Sequence, residues 1–402
     1  MPRRPGPADP SLPSVVDGTS DASSAMTPAA EAGSTEADPS VGEATVNGQA
    51  TEGQATEGQG SGGQPIETAL VEKPVRRHRA RKVILICALV LVVLVAGGVT
   101  AAGLYVHSVD KSVKRVNAFS GVPVQSRPVK VAADAENLLI LGSDTRDPEN
   151  TSGSRSDTII LAHLPKGGGS AQLISIPRDT WVHVPRSANG KHGNVDAKIN
   201  AAYAWGGVPL TVETIEDFTG VRIDHVVLVD FAGFEEIINA LGGVDIDVDQ
   251  AFTSHHSLNP SGIRHFNQGM QHMDGAAALD YSRERYAFAD GDFARIQHQQ
   301  QMIKAVLDKA ASGDLLTNPT RLNSFVKSTA KAVQVDQTLS LLSLAAQLRN
   351  LRSNNLSFFT SPSKGTGMEG DQSVVFADTT KAKTLFAAVR DDNVPAIVAA
   401  AK

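Results

Sequence analysis

The apolar residues fall into one long uninterrupted run that begins at Val83 and many short runs after it. Before the long run, residues 1–72 show no apolar residues at a helix or strand period and are rich in Gly, Pro, Ser, Thr and Ala. Such a segment cannot bury enough surface to offset the entropy lost on ordering. The pattern predicts a disordered tail over residues 1–75.

The long apolar run, Val83–Val106, contains no charged residue and follows the basic segment KPVRRHRARK of residues 73–82. As a helix it would extend about 36 Å, enough to cross a bilayer core of about 30 Å. The basic flank predicts a cytoplasmic N-terminus and an extracytoplasmic C-terminal part. A cleaved signal peptide is the alternative, but the run begins far from the N-terminus and is too long. We therefore expect one transmembrane helix over residues 83–106, in the cell membrane.

Beyond this span the short apolar runs alternate between strand-like and helix-like patterns. The predicted strands are Asn137–Leu141, Thr158–Leu164, Gln172–Ile176, His225–Val229, Val244–Val248 and Ser357–Thr360. The predicted helices are Ala197–Trp205, Leu210–Phe218, Phe231–Leu241, Gly275–Arg283, Phe293–Ala310, Leu339–Leu348 and Thr379–Val389. The alternation predicts an α/β domain over residues 134–402, with a central mixed β-sheet flanked by helices in αβα layers. Residues 107–133 have mixed polarity and two prolines, and are interpreted as an extracytoplasmic stalk.

Composition excludes several classes of protein. The only cysteine of the 402 residues is Cys87, inside the predicted span, which excludes a disulfide framework and a multi-cysteine metal centre. The net charge of −6 argues against a nucleic-acid partner. The sequence also lacks a P-loop, a dinucleotide-binding fingerprint, an H-E-x-x-H motif and a G-x-S-x-G motif.

Charged residues gather where the predicted strands and helices end. They are arginines and aspartates: Asp144, Arg146, Arg155, Asp157, Arg178, Asp179, Arg283, Arg285, Asp292 and Arg295. A guanidinium group makes two-point contacts with phosphate oxygens, and nearby carboxylates can hold a divalent cation together with phosphate. The pattern favours a metal–pyrophosphate site. Surface ion pairs and loop caps remain the alternative, with Asp292 as a possible helix N-cap.

The same segments, in this order, resemble the LytR-CpsA-Psr family of membrane-anchored cell-wall enzymes. The resemblance covers residues 137–310 and rests on NLLILGSDTR (137–146), RSDTIILAHL (155–164), SIPRDTWVHVP (175–185), KINAAYAWGG (198–207), VVLVDFAGFEEIINALGGVDIDV (226–248), MDGAAALDYSRER (273–285) and GDFARIQHQQ (291–300). It implies a phosphotransferase that moves a glycopolymer from a polyprenyl-pyrophosphate carrier to the muramic acid 6-hydroxyl of peptidoglycan. The product is a phosphodiester, and the implied cofactor is Mg²⁺, with Mn²⁺ as an alternative.

The resemblance also assigns roles to residues of this chain. It matches Asp144 and Asp157 to metal-side aspartates. It matches the pyrophosphate-binding residues to Arg146, Arg155, Arg178, Arg283, Arg285, Arg295 and Gln299. We expect catalysis to depend on Arg155, Asp157, Arg178 and Asp179, with either aspartate as the proton acceptor. His298 stands where many members have arginine, so a phosphate contact there would be weaker and pH-dependent.

Three other functions use the same residues differently. A lipid pyrophosphatase would use water as the acceptor, and a non-catalytic wall-sensing or regulatory protein would bind without reaction. A transcription regulator is disfavoured because the predicted topology places the arginines outside the cell.

For the transferase, the carrier's lipid chain needs an apolar slot, whose walls the sequence does not identify.

Overall fold

The computed structural model describes residues 103–144 and 156–400. The predicted tail, most of the predicted membrane span, Arg146 and Arg155 lie outside these residues. Among the helices that are described, none is both long enough and apolar enough to cross a membrane.

Strands and helices follow one another through the whole of the described chain. The strands are β1 (Lys114–Val116), β2 (Glu136–Ser143), β3 (Ser156–Leu164), β4 (Ala171–Ser175), β5 (Thr180–Val184), β6 (Val195–Lys198), β7 (His225–Asp230), β8 (Val244–Val248), β9 (Phe252–Ser254), β10 (Arg264–Phe266), β11 (Gly269–Met273), β12 (Val333–Asp336), β13 (Leu356–Thr360), β14 (Ser363–Glu369) and β15 (Gln372–Ala377). The helices are α1 (103–112), α2 (Ala201–Thr219), α3 (Phe231–Ala240), α4 (Gly275–Arg283), α5 (Asp292–Ala310), α6 (Gly313–Leu316), α7 (Pro319–Ala332), α8 (Leu341–Leu348), α9 (Thr379–Arg390) and α10 (Val394–Ala400).

The main sheet has seven strands in the order β1-β12-β7-β2-β3-β4-β13. It is mixed: β2 runs parallel to β7 and antiparallel to β3, and β4 runs parallel to β13. A smaller four-stranded sheet has the order β14-β15-β5-β6, and two antiparallel strand pairs, β8 with β11 and β9 with β10, complete the pairing. The predicted α/β fold with a central mixed sheet is confirmed.

Both faces of the main sheet are covered, because alternate residues of its apolar strands point to opposite sides. Leu139 of β2 belongs to a core that includes Tyr203 of α2 and Phe386 of α9. The adjacent Leu138 belongs to a core on the other face, against which side chains of α5 and α8 pack. The sheet is therefore the middle of three layers.

Two sequence predictions change in the structure. The helix predicted over Ala197–Trp205 is wrong at its start, because Ala197 and Lys198 end strand β6 and α2 begins at Ala201. The break predicted at Gly206-Gly207 is a kink inside α2, where Gly207 has a φ of 63° that favours glycine. A four-residue strand such as β6 carries too little periodicity to be distinguished from the first turn of a helix.

The interval 107–133, interpreted from sequence as a stalk, contains part of the folded domain. Strand β1 pairs in parallel with β12 at the edge of the main sheet. The Arg127 guanidinium donates to both carboxylate oxygens of Glu216 in α2, at 2.7–3.2 Å, and both side chains are buried. The sequence does not indicate these contacts, because β1 is short and its partners lie far along the chain.

Candidate active site

The predicted site residues follow strand ends that lie at one edge of the main sheet. Ser143, the last residue of β2, is paired with Ser156 at the start of β3 and with Asp230 at the end of β7. Strand β4, antiparallel to β3, also ends here and leads into Pro177-Arg178-Asp179. We call this the charged edge of the sheet.

Arg178 is the centre of the charged groups at this edge. Its Nη1 donates a hydrogen bond to Asp157 Oδ1, and its Nε lies 3.6 Å from Asp179 Oδ2 and 3.9 Å from Asp292 Oδ1. Burial lowers the pKa of Arg178, but the surrounding carboxylates outweigh burial and the net effect is a raised pKa. Three acidic side chains from separate segments thus converge on one guanidinium group.

The first turn of α5 adds a second buried ion pair. Arg295 Nη2 lies 2.7 Å from Asp292 Oδ1, three residues earlier on the helix. Burial raises the pKa of the Asp292 carboxyl group and lowers the pKa of Arg295, and the charge of Arg285 acts on both. We call the six residues Asp157, Arg178, Asp179, Arg285, Asp292 and Arg295 the arginine cluster.

Several buried polar atoms in and beside this cluster have no hydrogen-bond partner among the described residues. They are Arg178 Nε, Arg295 Nε, Arg283 Nη1, Ser282 Oγ and both carboxylate oxygens of Asp292. A buried polar atom without a partner costs about 1–3 kcal/mol, so proteins rarely leave several together. Arg283 Nη1 and Arg295 Nε are donors that an anionic ligand with several oxygens would use, whereas Arg178 Nε already lies within 4 Å of two carboxylates.

A cavity of about 430 Å³ opens next to the arginine cluster and runs between the main sheet and the helices α3, α5 and α8. Its walls are almost entirely aliphatic. Helix α5 contributes a stripe at helical spacing, from Gln299 through Ile303 and Val306 to Ala310. Eleven steps of 1.5 Å along these twelve residues make the stripe about 17 Å long. We call this space the apolar cavity.

The mouth of the apolar cavity lies at the charged edge. Arg283, Ser282 and Gln299 line it together with Thr158 and Asp230. The Arg283 guanidinium stacks on the Phe231 ring at 4.6 Å, and Gln299 Nε2 donates to the Ser282 carbonyl oxygen at 3.3 Å. Charged donors and an apolar interior therefore meet at one opening, a combination that suits a ligand with an anionic head and a long apolar tail.

Most of the described site residues predicted from sequence come together. Asp157, Arg178, Asp179, Arg285 and Arg295 are in the arginine cluster, and Arg283 and Gln299 line the cavity mouth. Asp144 is exposed and follows β2 at the same edge. The roles given to these residues remain predictions.

Sequence reasoning missed two charged members of the site. The sequence places Asp292 among the charged residues at strand and helix ends, with a helix N-cap as the alternative, but gives it no role in the site, although its position three residues before Arg295 is a signal for an ion pair. Lys198 Nζ lies 3.4 Å from Asp179 Oδ1. No sequence signal marks Lys198, because its place depends on the pairing of β6 with β5.

His298 does not join the arginine cluster in any described contact. Its ring stacks on Tyr281 at a centroid distance of 4.2 Å and on Phe252 at 5.6 Å, and its Nδ1 lies 3.1 Å from the Tyr281 carbonyl oxygen. Burial lowers the pKa of His298. The His298 side chain is thus part of an aromatic core on one side of α5. Its described contacts are with aromatic rings and a backbone carbonyl group, and the phosphate contact considered from the sequence is not among them.

The charged edge offers oxygen ligands for a divalent cation, but few of them. Among residues 103–144 and 156–400, no three His, Cys, Asp or Glu side chains cluster so that they alone could hold a metal ion. Mg²⁺ commonly binds one or two carboxylates and completes its shell with water and phosphate oxygens. Asp144 and Asp157 are carboxylates at this edge, and their assignment to a metal site remains a prediction.

Known proteins share both the sequence and the fold. The model of the LytR_cpsA_psr family matches residues 102–391. The polyisoprenyl-teichoic acid–peptidoglycan teichoic acid transferase TagV of Bacillus subtilis is 30% identical over 260 residues, which are 65% of this chain and 64% of TagV. The transferase TagU of Bacillus cereus is 35% identical over 240 residues, 58% of this chain and 72% of TagU. The crystal structure of B. subtilis TagV matches with a TM-score of 0.54 and 27% identity, over 65% of this chain and 97% of that one. The chain thus spans just under two thirds of TagV.

Proposed function

Since the chain belongs to the LytR_cpsA_psr family, we propose that it is a membrane-anchored phosphotransferase acting on cell-wall glycopolymers. It would move the polymer from a polyprenyl-pyrophosphate carrier to the muramic acid 6-hydroxyl of peptidoglycan. TagV and TagU are named for the transfer of teichoic acid from a polyisoprenyl carrier to peptidoglycan. The observation that carries the proposal is that the apolar cavity reaches the charged edge, where Arg283 lines it and Thr158 of its wall directly follows Asp157 of the arginine cluster.

The two parts of the site match the two parts of such a carrier. Arg283 and Arg295 have guanidinium nitrogens without a hydrogen-bond partner among the described residues, and these two side chains, together with Arg178, would bind the oxygens of a pyrophosphate. The apolar cavity would take the first isoprene units, whose exposure to water would cost about 25 cal/mol for each Å². A free sugar phosphate would use only the charged part of this site, and a plain lipid only the cavity.

The reaction exchanges one phosphorus–oxygen bond for another. The acceptor hydroxyl oxygen attacks the glycan-proximal phosphorus, and the bond to the leaving polyprenyl phosphate breaks. The hydroxyl proton passes to a carboxylate. Asp179 is suited to accept it, because its side chain is 21% exposed and can meet an acceptor arriving from solvent. Asp157, which is 24% exposed, would do so only when it does not hold the cation. The arginines stabilise the charge that builds up on the phosphoryl oxygens in the transition state.

Asp144 and Asp157 would hold Mg²⁺, or Mn²⁺ in its place, against the pyrophosphate. A bound divalent cation would withdraw electron density from the phosphoryl oxygens and so favour nucleophilic attack. Arg178 hydrogen-bonds Asp157 and would orient that carboxylate.

The predicted membrane span and cytoplasmic N-terminus belong to the same proposal. A lipid-linked donor is confined to a bilayer, so an enzyme anchored in that bilayer meets it without extracting it into water. The acceptor, peptidoglycan, lies outside the cell, which is where the predicted topology places residues 107–402.

The test uses the full-length protein in vesicles, with a polyprenyl-pyrophosphate-linked glycan and purified peptidoglycan. We expect a glycan–peptidoglycan product and polyprenyl phosphate, both only when peptidoglycan is present. Release of polyprenyl phosphate without peptidoglycan would favour the lipid pyrophosphatase, and binding without any product would favour a non-catalytic sensor. Arg178→Ala should remove activity, while Arg321→Ala, an exposed arginine paired with Asp314 on α6, is the matched control.

A further inference from the structure

A second cavity, of about 200 Å³, adjoins the apolar cavity. Its wall is formed by the loop between β3 and β4 and by the end of α8 with the residues that follow: Asp134, Leu164, Pro165, Gly167–Ser170 and Ala346–Leu351. Leu164, Leu348 and Leu351 line both cavities. The two spaces are therefore neighbours along a shared aliphatic wall, and we call the second one the distal vestibule.

The distal vestibule lies at the far end of the strands from the arginine cluster. Strand β3 begins beside Asp157 at the charged edge and ends at Leu164, and β4 starts its return at Ala171. Thr158 and Leu164 both line the apolar cavity, so that cavity follows β3 for about 20 Å at 3.3 Å per residue. The length agrees with the 17 Å stripe on α5.

A cavity of this length is short for a polyprenyl chain. Each isoprene unit adds four chain bonds of about 1.5 Å, or about 5 Å when extended, so the cavity holds about four units. A carrier of about ten units would leave more than half of its tail without a place inside. The tail must then fold back through the mouth or leave at the other end.

We propose that the distal vestibule is a second opening, through which the isoprene units beyond the first few leave the domain. The proposal rests on the proposed function, because it assigns a path to the tail of the same donor. The vestibule turns from aliphatic at the three shared leucines to polar at its rim, as expected where a buried path reaches the surface.

The loop that borders the vestibule leaves the opening free of side chains. Gly167, Gly168 and Gly169 all have positive φ, between 69° and 91°, and lack a Cβ that could narrow the passage. Lys166 of this loop forms an ion pair with Asp134 at 2.6 Å.

The experiment compares two donors that differ only in lipid length, about three and about ten isoprene units, with the full-length protein in vesicles. Ala346→Trp places a large side chain at the vestibule, on an exposed position of α8. Ala345→Trp is the matched control, since Ala345 is also exposed on α8 but lines neither cavity. We expect Ala346→Trp to lower kcat/KM for the long donor about tenfold and to leave the short donor unchanged.

Equal activity of Ala346→Trp and Ala345→Trp on the long donor would overturn the second opening, as would an equal loss on both donors. No transfer of either donor by the unsubstituted protein would instead contradict the proposed function. A second measurement uses a long donor with a diazirine at the end of its tail. Photolabelling should modify residues 165–170 or 346–351, whereas labelling confined to the charged edge would show that the tail folds back.

Discussion

A substitution that fills the apolar cavity should lower the transfer activity of the protein without lowering its thermal stability. Ile303 faces the cavity from α5 and is only partly buried, so Ile303→Trp would place the larger ring in existing space. Tryptophan adds about six non-hydrogen atoms, close to the size of one isoprene unit of about five carbons. The added atoms of the ring would therefore occupy about the space that one isoprene unit of the donor's lipid needs.

The expected loss follows from the burial of that unit. At about 0.8 kcal/mol per buried carbon, one displaced isoprene unit costs up to about 4 kcal/mol of donor binding. Since each 1.4 kcal/mol is a factor of ten, kcat/KM should fall between tenfold and about a thousandfold, depending on how far the lipid can shift. The Tm should stay equal or rise, because filling a cavity adds contacts without removing any.

The assay measures transfer kinetics with a long-chain donor, and thermal unfolding by circular dichroism on the same samples. Lys304→Trp is the control, because Lys304 is the next residue of α5 and is exposed. Unchanged kcat/KM in Ile303→Trp with a normal Tm would refute the assignment of the cavity to the lipid. An equal loss of kcat/KM in Lys304→Trp would show that the effect comes from a disturbed helix and not from the filled cavity.

Four further predictions concern the site and the fold. Arg178→Ala should lower kcat by a factor of about 10²–10³, because the charge on the phosphoryl oxygens in the transition state loses its stabilisation. The kcat of Arg178→Lys should lie between those of Arg178→Ala and the parent protein, and single-turnover kinetics would measure both. Chelation by EDTA should stop transfer and added Mg²⁺ restore it; full activity in EDTA would exclude the metal. Arg127→Ala should lower the free energy of unfolding by about 3–5 kcal/mol, because it leaves Glu216 buried without its cation, and urea titration would test this. Asp336→Asn should cost about 2 kcal/mol at neutral pH, because hydrogen bonds lower the pKa of this buried carboxyl from 3.8 to about 2 despite burial. That difference should vanish as the pH falls from about 4 to about 2, where the parent carboxylate is protonated; a constant difference in urea titrations would contradict it.

The central strands and several helices were predictable because their local signals are strong. Strand β2 is a continuous apolar run that ends at a glycine, and α4 has the predicted bounds Gly275–Arg283. The short edge strand β1 was not predictable, since its partner β12 lies more than 200 residues away. Pairing of this kind is a tertiary property, and three residues carry almost no periodicity of their own.

The charged half of the site was more predictable than the apolar half. Arginines and aspartates at strand ends are rare enough to stand out, and β2, β3 and β4 bring their ends to one edge. The cavity gave no such signal, because the stripe from Gln299 to Ala310 has the same pattern as a helix packed tightly on a sheet. Only the structure shows that α5 stands away from the sheet and leaves a space about 17 Å long.

The most direct measurement is a crystal structure of the protein with a bound polyprenyl pyrophosphate. The account predicts that the pyrophosphate oxygens lie within hydrogen-bond distance of Arg178, Arg283 and Arg295, and that the isoprene units follow α5 through the apolar cavity. A pyrophosphate bound elsewhere, or a lipid tail lying outside the cavity, would contradict the account.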